Sequence, residues 1–159
     1  MIELVEEVDV AAPPEQVWRV VTDWPRQGEW MLGTTVRVAS GDGRSAGSEL
    51  AAFSGLGPFG FTDTMVITTW DPPHRCAVRH TGRLVRGTAE FTVRPGTVRP
   101  GTVRPGAAGA VVLWREALDL PFGVVGRLGW TLVRPAFRAG VRHSLRRLAR
   151  LCEAAGPTT

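Results

Sequence analysis

The hydrophobic period of this chain changes once, near residue 122, and that change restricts the architectures open to it. Beyond it, Val133, Phe137, Val141, Leu145, Leu148 and Cys152 recur at three- and four-residue spacing, while Arg134, Arg138, Arg142, Arg146 and Arg150 recur every four. That is one long amphipathic helix with an apolar stripe and a basic stripe, the basic one facing water. Pro135 either starts it or kinks it. Gly156-Pro157 stops it just past Ala155. At 1.5 Å per residue, Pro135–Ala155 spans roughly 30 Å, enough to cross a small domain.

Upstream the period is two. Ile2–Val10 sets Ile2, Leu4, Val8 and Val10 against Glu3, Glu7 and Asp9, a half-buried strand. Pro13-Pro14-Glu15 then suits a helix start, with Val17, Val20 and Val21 on one face and an end near Asp23-Trp24-Pro25. A second short helix follows around Arg26–Trp30. Six further strands, cut by Gly, Asp and Pro turns, read as an antiparallel meander: Thr34–Ser40, Ser48–Phe53, Phe61–Trp70, His74–Thr81, Leu84–Val93 and Ala110–Leu120. Thr92–Gly106 is three copies of Thr-Val-Arg-Pro-Gly. Proline at every fifth residue opposes a regular ladder, so this segment reads as a loop inserted between two strands. The order predicts an α+β fold: a curved seven-stranded antiparallel sheet wrapped around the long C-terminal helix, with two short helices after the first strand. One domain over residues 1–159 accommodates it, with 92–106 as an insertion.

Composition removes several classes. With 43% hydrophobic and 21% charged residues the chain is not disordered. Two cysteines, Cys76 and Cys152, make neither a disulfide framework nor a Cys-rich zinc site. No run approaches the ~20 apolar residues of a membrane helix, and the acidic start lacks a signal-peptide core, so a cytoplasmic location is expected. All 19 basic residues are Arg, and they are unevenly placed: residues 1–71 hold 4 Arg and 11 acids, residues 72–159 hold 15 Arg and 4 acids. A solvated, Arg-rich last helix accounts for the split, so no nucleic-acid partner is expected.

The residues that punctuate this order carry a resemblance. Val10-Ala11-Ala12-Pro13-Pro14-Glu15-Gln16-Val17-Trp18, Asp23-Trp24-Pro25 with Trp30, Trp70-Asp71-Pro72-Pro73 and the final Ser144-Leu145-Arg146-Arg147-Leu148 are similar to the START/Bet v 1-like superfamily, also labelled SRPBCC or polyketide cyclase/dehydrase-like. The resemblance covers the chain apart from the repeat loop. It implies a helix-grip fold with a hydrophobic cavity between sheet and helix. It leaves function open, because the superfamily spans lipid carriers, aromatic-polyketide cyclases, hormone receptors and chaperone cofactors.

Strand parity nominates the cavity walls. The inward sets are Phe61, Asp63, Met65 and Ile67; His74, Cys76, Val78 and His80; Val85, Gly87, Ala89, Phe91 and Val93; and Val112, Trp114, Glu116 and Leu118. The candidate ligand-binding residues are Phe61, Met65, Ile67, Val78, Phe91 and Trp114 from these sets, joined by Phe53, by Phe137 and Val141 of the helix, and by Trp30 and Trp130. Trp24, Trp30 and Trp130 form either an apolar lid, a membrane contact beside the Arg stripe, or plain packing. Leu56 and Phe59 in the Gly-rich loop 55–60 are candidates to cover the mouth.

Asp63, His80 and Glu116 are the candidate catalytic residues, since three ionisable groups on inward faces need partners or a task. His80 between two carboxylates has its charged form favoured. The structural alternative is that both carboxylates serve the fold and His80 is a satisfied core histidine. The chemical one is acid–base work, with His80 taking a proton next to a carbonyl. No metal-ligand spacing or cofactor motif is present. The expected function is binding of a small hydrophobic ligand (a lipid, polyketide or isoprenoid-like molecule) in an internal cavity, by a monomer or homodimer. The alternative is an aromatase/cyclase or dehydratase of the polyketide type.

Overall fold

The computed structural model describes residues 2–56, 59–83, 85–96, 109–119 and 123–155. Strand β1 (Ile2–Val10) leads into helix α1 (Pro14–Val21) and a 3-10 turn at Trp24–Glu29. Six strands follow: β2 (Thr34–Ser40), β3 (Glu49–Leu56), β4 (Phe59–Asp71), β5 (Arg75–His80), β6 (Arg86–Gly96) and β7 (Gly109–Asp119). Helix α2 (Gly123–Ala154) comes last. The strands make one antiparallel sheet in the order β1-β7-β6-β5-β4-β3-β2, curved around α2 in the helix-grip manner.

Period-two alternation explains the strands. Along β1, Leu4, Glu6 and Val10 are buried while Val5 is 41% exposed. Along β7, Val112, Trp114 and Glu116 are buried, and Arg115 between the last two points out to pair with Glu3. Glu6 is an acid on an inner face, which costs free energy unless its charge is met. Arg138 and Arg142 of α2 both donate to it, the latter at 2.7 Å. Two members of the basic stripe therefore clamp the helix to the sheet instead of facing only water.

The long helix starts earlier than its pattern predicts and runs through Pro135. Its two halves differ. Val141, Leu145, Leu148, Ala149 and Cys152 are buried, whereas Leu132 is 83% and Val133 54% exposed. The buried half is tied down by polar contacts as well. Gln16 donates from α1 to the Cys152 carbonyl at 2.5 Å, Arg147 donates to the Glu29 carbonyl at 2.6 Å, and Ser144 Oγ accepts the Leu32 N–H at 3.0 Å. Among the described residues no helix is long and apolar enough to cross a membrane.

The first copy of the repeat is strand, not loop: β6 keeps its ladder through Pro95, opposite Ala110, and Gly96, opposite Gly109. Pro95 is tolerated there because it lies at the end of the ladder, where a missing donor costs least. Residues 97–106 lie outside the described residues.

Candidate ligand cavity

A cavity of about 420 Å³ lies between the inner face of β2–β7, the segment from Trp24 to Leu32, and the middle of α2. Phe61, Met65, Val78, Phe91, Trp114, Phe137 and Val141 line it, as do Asp63, His80 and Glu116. Strand parity thus brings eight of the nominated residues into one space, and the helical stripe adds two.

Four nominated residues lie elsewhere. Trp30, 1% exposed, sits behind the wall against Phe91 (5.9 Å between ring centres) and Trp114 (6.2 Å). Phe53 has the opposite parity to Leu50, Ala52 and Ser54, which do line the cavity, so it faces the other side of the sheet. Ile67 is wholly buried at the register shift between β4 and β5, packed into the core and outside the cavity wall. Trp130 packs on Phe137 at 5.3 Å but does not reach the lumen. His74, assigned inward by parity, is exposed in the turn before β5. Trp24 is 6% exposed, with its indole N–H on the Gly43 carbonyl at 2.7 Å, so it is a fixed wall, not a lid. In loop 55–60, Phe59 stands 83% exposed, while the Leu56 side chain, Gly57 and Pro58 fall outside the described residues.

The sequence reading missed the β2 and β3 wall, and the small residues of α2. Extending period two back from Phe61 through its hairpin partner Ser54 finds Ala52 and Leu50. Stepping three residues on from Phe137 and Val141 finds Gly140 and Ser144, and stepping four back from Gly140 finds Ala136. Their small side chains leave room beside the helix.

The polar end of the cavity is built by the sheet register. His80 lies opposite Met65, two residues along β4 from Asp63, and His80 Nδ1 meets Asp63 Oδ2 at 2.5 Å. Glu116 comes from β7, with β6 between it and β5. Across that strand the facing positions are Gly87, opposite His80, and Ala89, opposite Glu116. These side chains are small enough for His80 Nε2 to approach Glu116 Oε2 to 3.6 Å. Gly87 is required twice over, since its φ is +128° and a Cβ there would strike the Ala117 carbonyl. Trp114, two residues before Glu116 on the same face, donates its indole N–H to Glu116 Oε1 at 2.8 Å. Asp63 Oδ1 and His80 Nε2 are buried without a hydrogen-bond partner.

Burial disfavours a charged imidazole, but the hydrogen bond to Asp63, the contact with Glu116 and both negative charges outweigh it, raising His80 to about 9. At neutral pH its ring is therefore a cation with a proton on each nitrogen. Cys76, on the cavity wall, is pushed up to about 12 by burial, so it presents a neutral thiol with no nucleophilic character. Among the described residues no group of three His, Cys, Asp or Glu side chains is arranged to hold a metal ion.

An antiparallel sheet gripping a long C-terminal helix over an apolar cavity defines a helix-grip protein. The sequence model of the family described as "Polyketide cyclase / dehydrase and lipid transport" matches residues 1–153, and the chain belongs to that family. Among solved structures it is similar to TTHA0849 from Thermus thermophilus, with 18% identity and a TM-score of 0.77 over 98% of this chain and 100% of that one. It is also similar to BexL, a di-domain ARO/CYC from the BE-7585A biosynthetic pathway, with 19% identity and a TM-score of 0.71, covering 99% of this chain and 48% of that one. DR_A0006 from Deinococcus radiodurans has 20% identity and a TM-score of 0.65, over 98% of this chain and 100% of that one. These likenesses concern the fold. No curated protein matches the sequence.

Proposed function

We propose that this protein binds a small hydrophobic molecule in its internal cavity. The observation that carries the reading is a space of about 420 Å³ whose wall is mostly apolar, with a few neutral polar side chains and one cluster of ionisable groups. Ligand sites combine those features: apolar area supplies affinity and a few fixed polar groups supply orientation. Membership of a family whose description includes lipid transport supports it. Native mass spectrometry of protein purified from its own host is expected to show a copurifying hydrophobic molecule. Ligand-free protein that also takes up no added naphthalene, followed by ligand-observed NMR, overturns the reading.

The Asp63–His80–Glu116 cluster favours a second reading, an acid–base enzyme of the cyclase or dehydratase kind. Protonated His80 has no lone pair with which to take a proton, so the roles divide differently from the sequence expectation. Glu116 would remove the proton next to a carbonyl, and His80 would give its proton to a departing β-hydroxyl, releasing water; Asp63 would hold the ring. In this reading His80→Ala abolishes turnover, whereas in a carrier it changes affinity alone.

A further inference from the structure

We propose that the cavity selects a neutral or cationic ligand that presents a hydrogen-bond donor, such as a hydroxyl or amine, to Glu116, and that it rejects amphiphiles with a carboxylate or phosphate head. The inference rests on the cavity-binding reading and narrows its ligand class.

The charged groups on the cavity wall are few. Among the described lining residues, Asp63, His80 and Glu116 are the acidic and basic side chains. No Arg is among these described lining residues, although Arg is the residue suited to a carboxylate or phosphate head. Two acidic side chains share one imidazole, so acidic groups outnumber the basic one on this wall. An anionic head would bring further negative charge into the same apolar space, where charges are weakly screened.

The hydrogen bonds point the same way. Glu116 Oε1 is taken by the Trp114 indole and Asp63 Oδ2 by His80 Nδ1. Asp63 Oδ1 lies against Gly82, close enough to strike a Cβ there. Asp63 Oδ1 has no donor but is buried there, whereas Glu116 Oε2, 3.6 Å from His80 Nε2 and beyond hydrogen-bond length, is the oxygen placed to accept from a ligand. A hydroxyl or amine satisfies it, whereas a carboxylate, phosphate or ether oxygen could accept from the unpartnered His80 Nε2–H but has no proton to give Glu116 Oε2.

Three probes of one shape test this by calorimetry at pH 7: naphthalene, 2-naphthol and 2-naphthoate. The wild-type protein is expected to bind 2-naphthol about tenfold or more tightly than 2-naphthoate, with naphthalene between them, since a hydrogen bond to a charged group contributes roughly a factor of ten. Glu116→Gln, which keeps an acceptor for Trp114 but removes the charge, is expected to narrow that gap. If naphthalene binds and 2-naphthoate matches or beats 2-naphthol, the inference fails while the cavity reading stands. If no probe binds, the cavity reading fails and takes the inference with it. The wild-type ranking decides the matter even where the variant does not fold.

Discussion

Raising the pH from 6.5 to 9 should destabilise this protein through His80. The ring rises from an ordinary value of 6.5 to about 9 on folding, because hydrogen bonding and negative charge from Asp63 and Glu116 overcome burial. The folded state therefore holds a proton that the unfolded chain releases first, and stability falls with pH wherever that is so. The contribution is fully present below 6.5 and is lost as the pH climbs through 9. At 1.36 kcal/mol for each pH unit of displacement, the whole effect is about 3 kcal/mol. The His80 side chain is 9% exposed, so solvent screening takes little from that figure. The assay is urea unfolding followed by tryptophan fluorescence at pH 6, 7.5 and 9, with the denaturant slope checked for constancy. Asp63→Asn, which removes one flanking charge, should move the pH window down and shrink the loss. The imidazole midpoint is read independently by NMR. A flat unfolding midpoint between pH 6 and 9, or an NMR midpoint at or below 6.5, refutes the reasoning.

Two further substitutions separate fold from site. Glu6→Gln removes the buried charge and one of the two acceptor oxygens that meet Arg138 and Arg142, and should lower stability by about 1–2 kcal/mol, no more, because both guanidiniums are about half exposed and can turn to water. Burial raises the Glu6 carboxyl, but Arg142 and Arg138 outweigh it and hold it below 4.5. Its contribution is thus present above pH 4.5 and lost on further acidification, so the gap in urea midpoint between wild type and variant should narrow as the pH falls below 4.5. Gly140→Leu places a side chain in the cavity, since a Cβ there meets nothing closer than Leu32 Cδ2 at 3.9 Å. It should leave thermal stability unchanged or raised by up to about 1 kcal/mol from helix propensity, while uptake of naphthalene falls at least tenfold.

Much of the architecture was written locally. The limits of Ile2–Val10 and Thr34–Ser40 follow from alternation and turn residues alone, and parity from β4 to β7 places Asp63, His80 and Glu116 together. What escaped depends on neighbours distant in sequence. Phe53 looks inward by its size, yet its face is set by pairing with β2 and β4, and on this strand both Ala51 and Ala52 are buried. The first half of α2 carries Gly123, Gly126, Gly129 and Pro135, poor helix formers whose state composition does not reveal. Alternation puts Glu6 on the apolar face of β1 with Leu4 and Val8, but what meets its charge there comes from α2, more than 130 residues on, which delivers two guanidiniums to it.

The unequal burial of α2 separates two kinds of constraint within one element. From Val141 to Cys152 the helix is core, where a lost methylene is felt by the whole molecule. From Gly129 to Ala136 it is mostly exposed, and Ala136 and Phe137 meet the cavity. Substitutions in that segment spend little of the stability margin on which a sequence lives. Ligand preference is thereby free to drift along one half of the helix while the other half keeps the molecule folded.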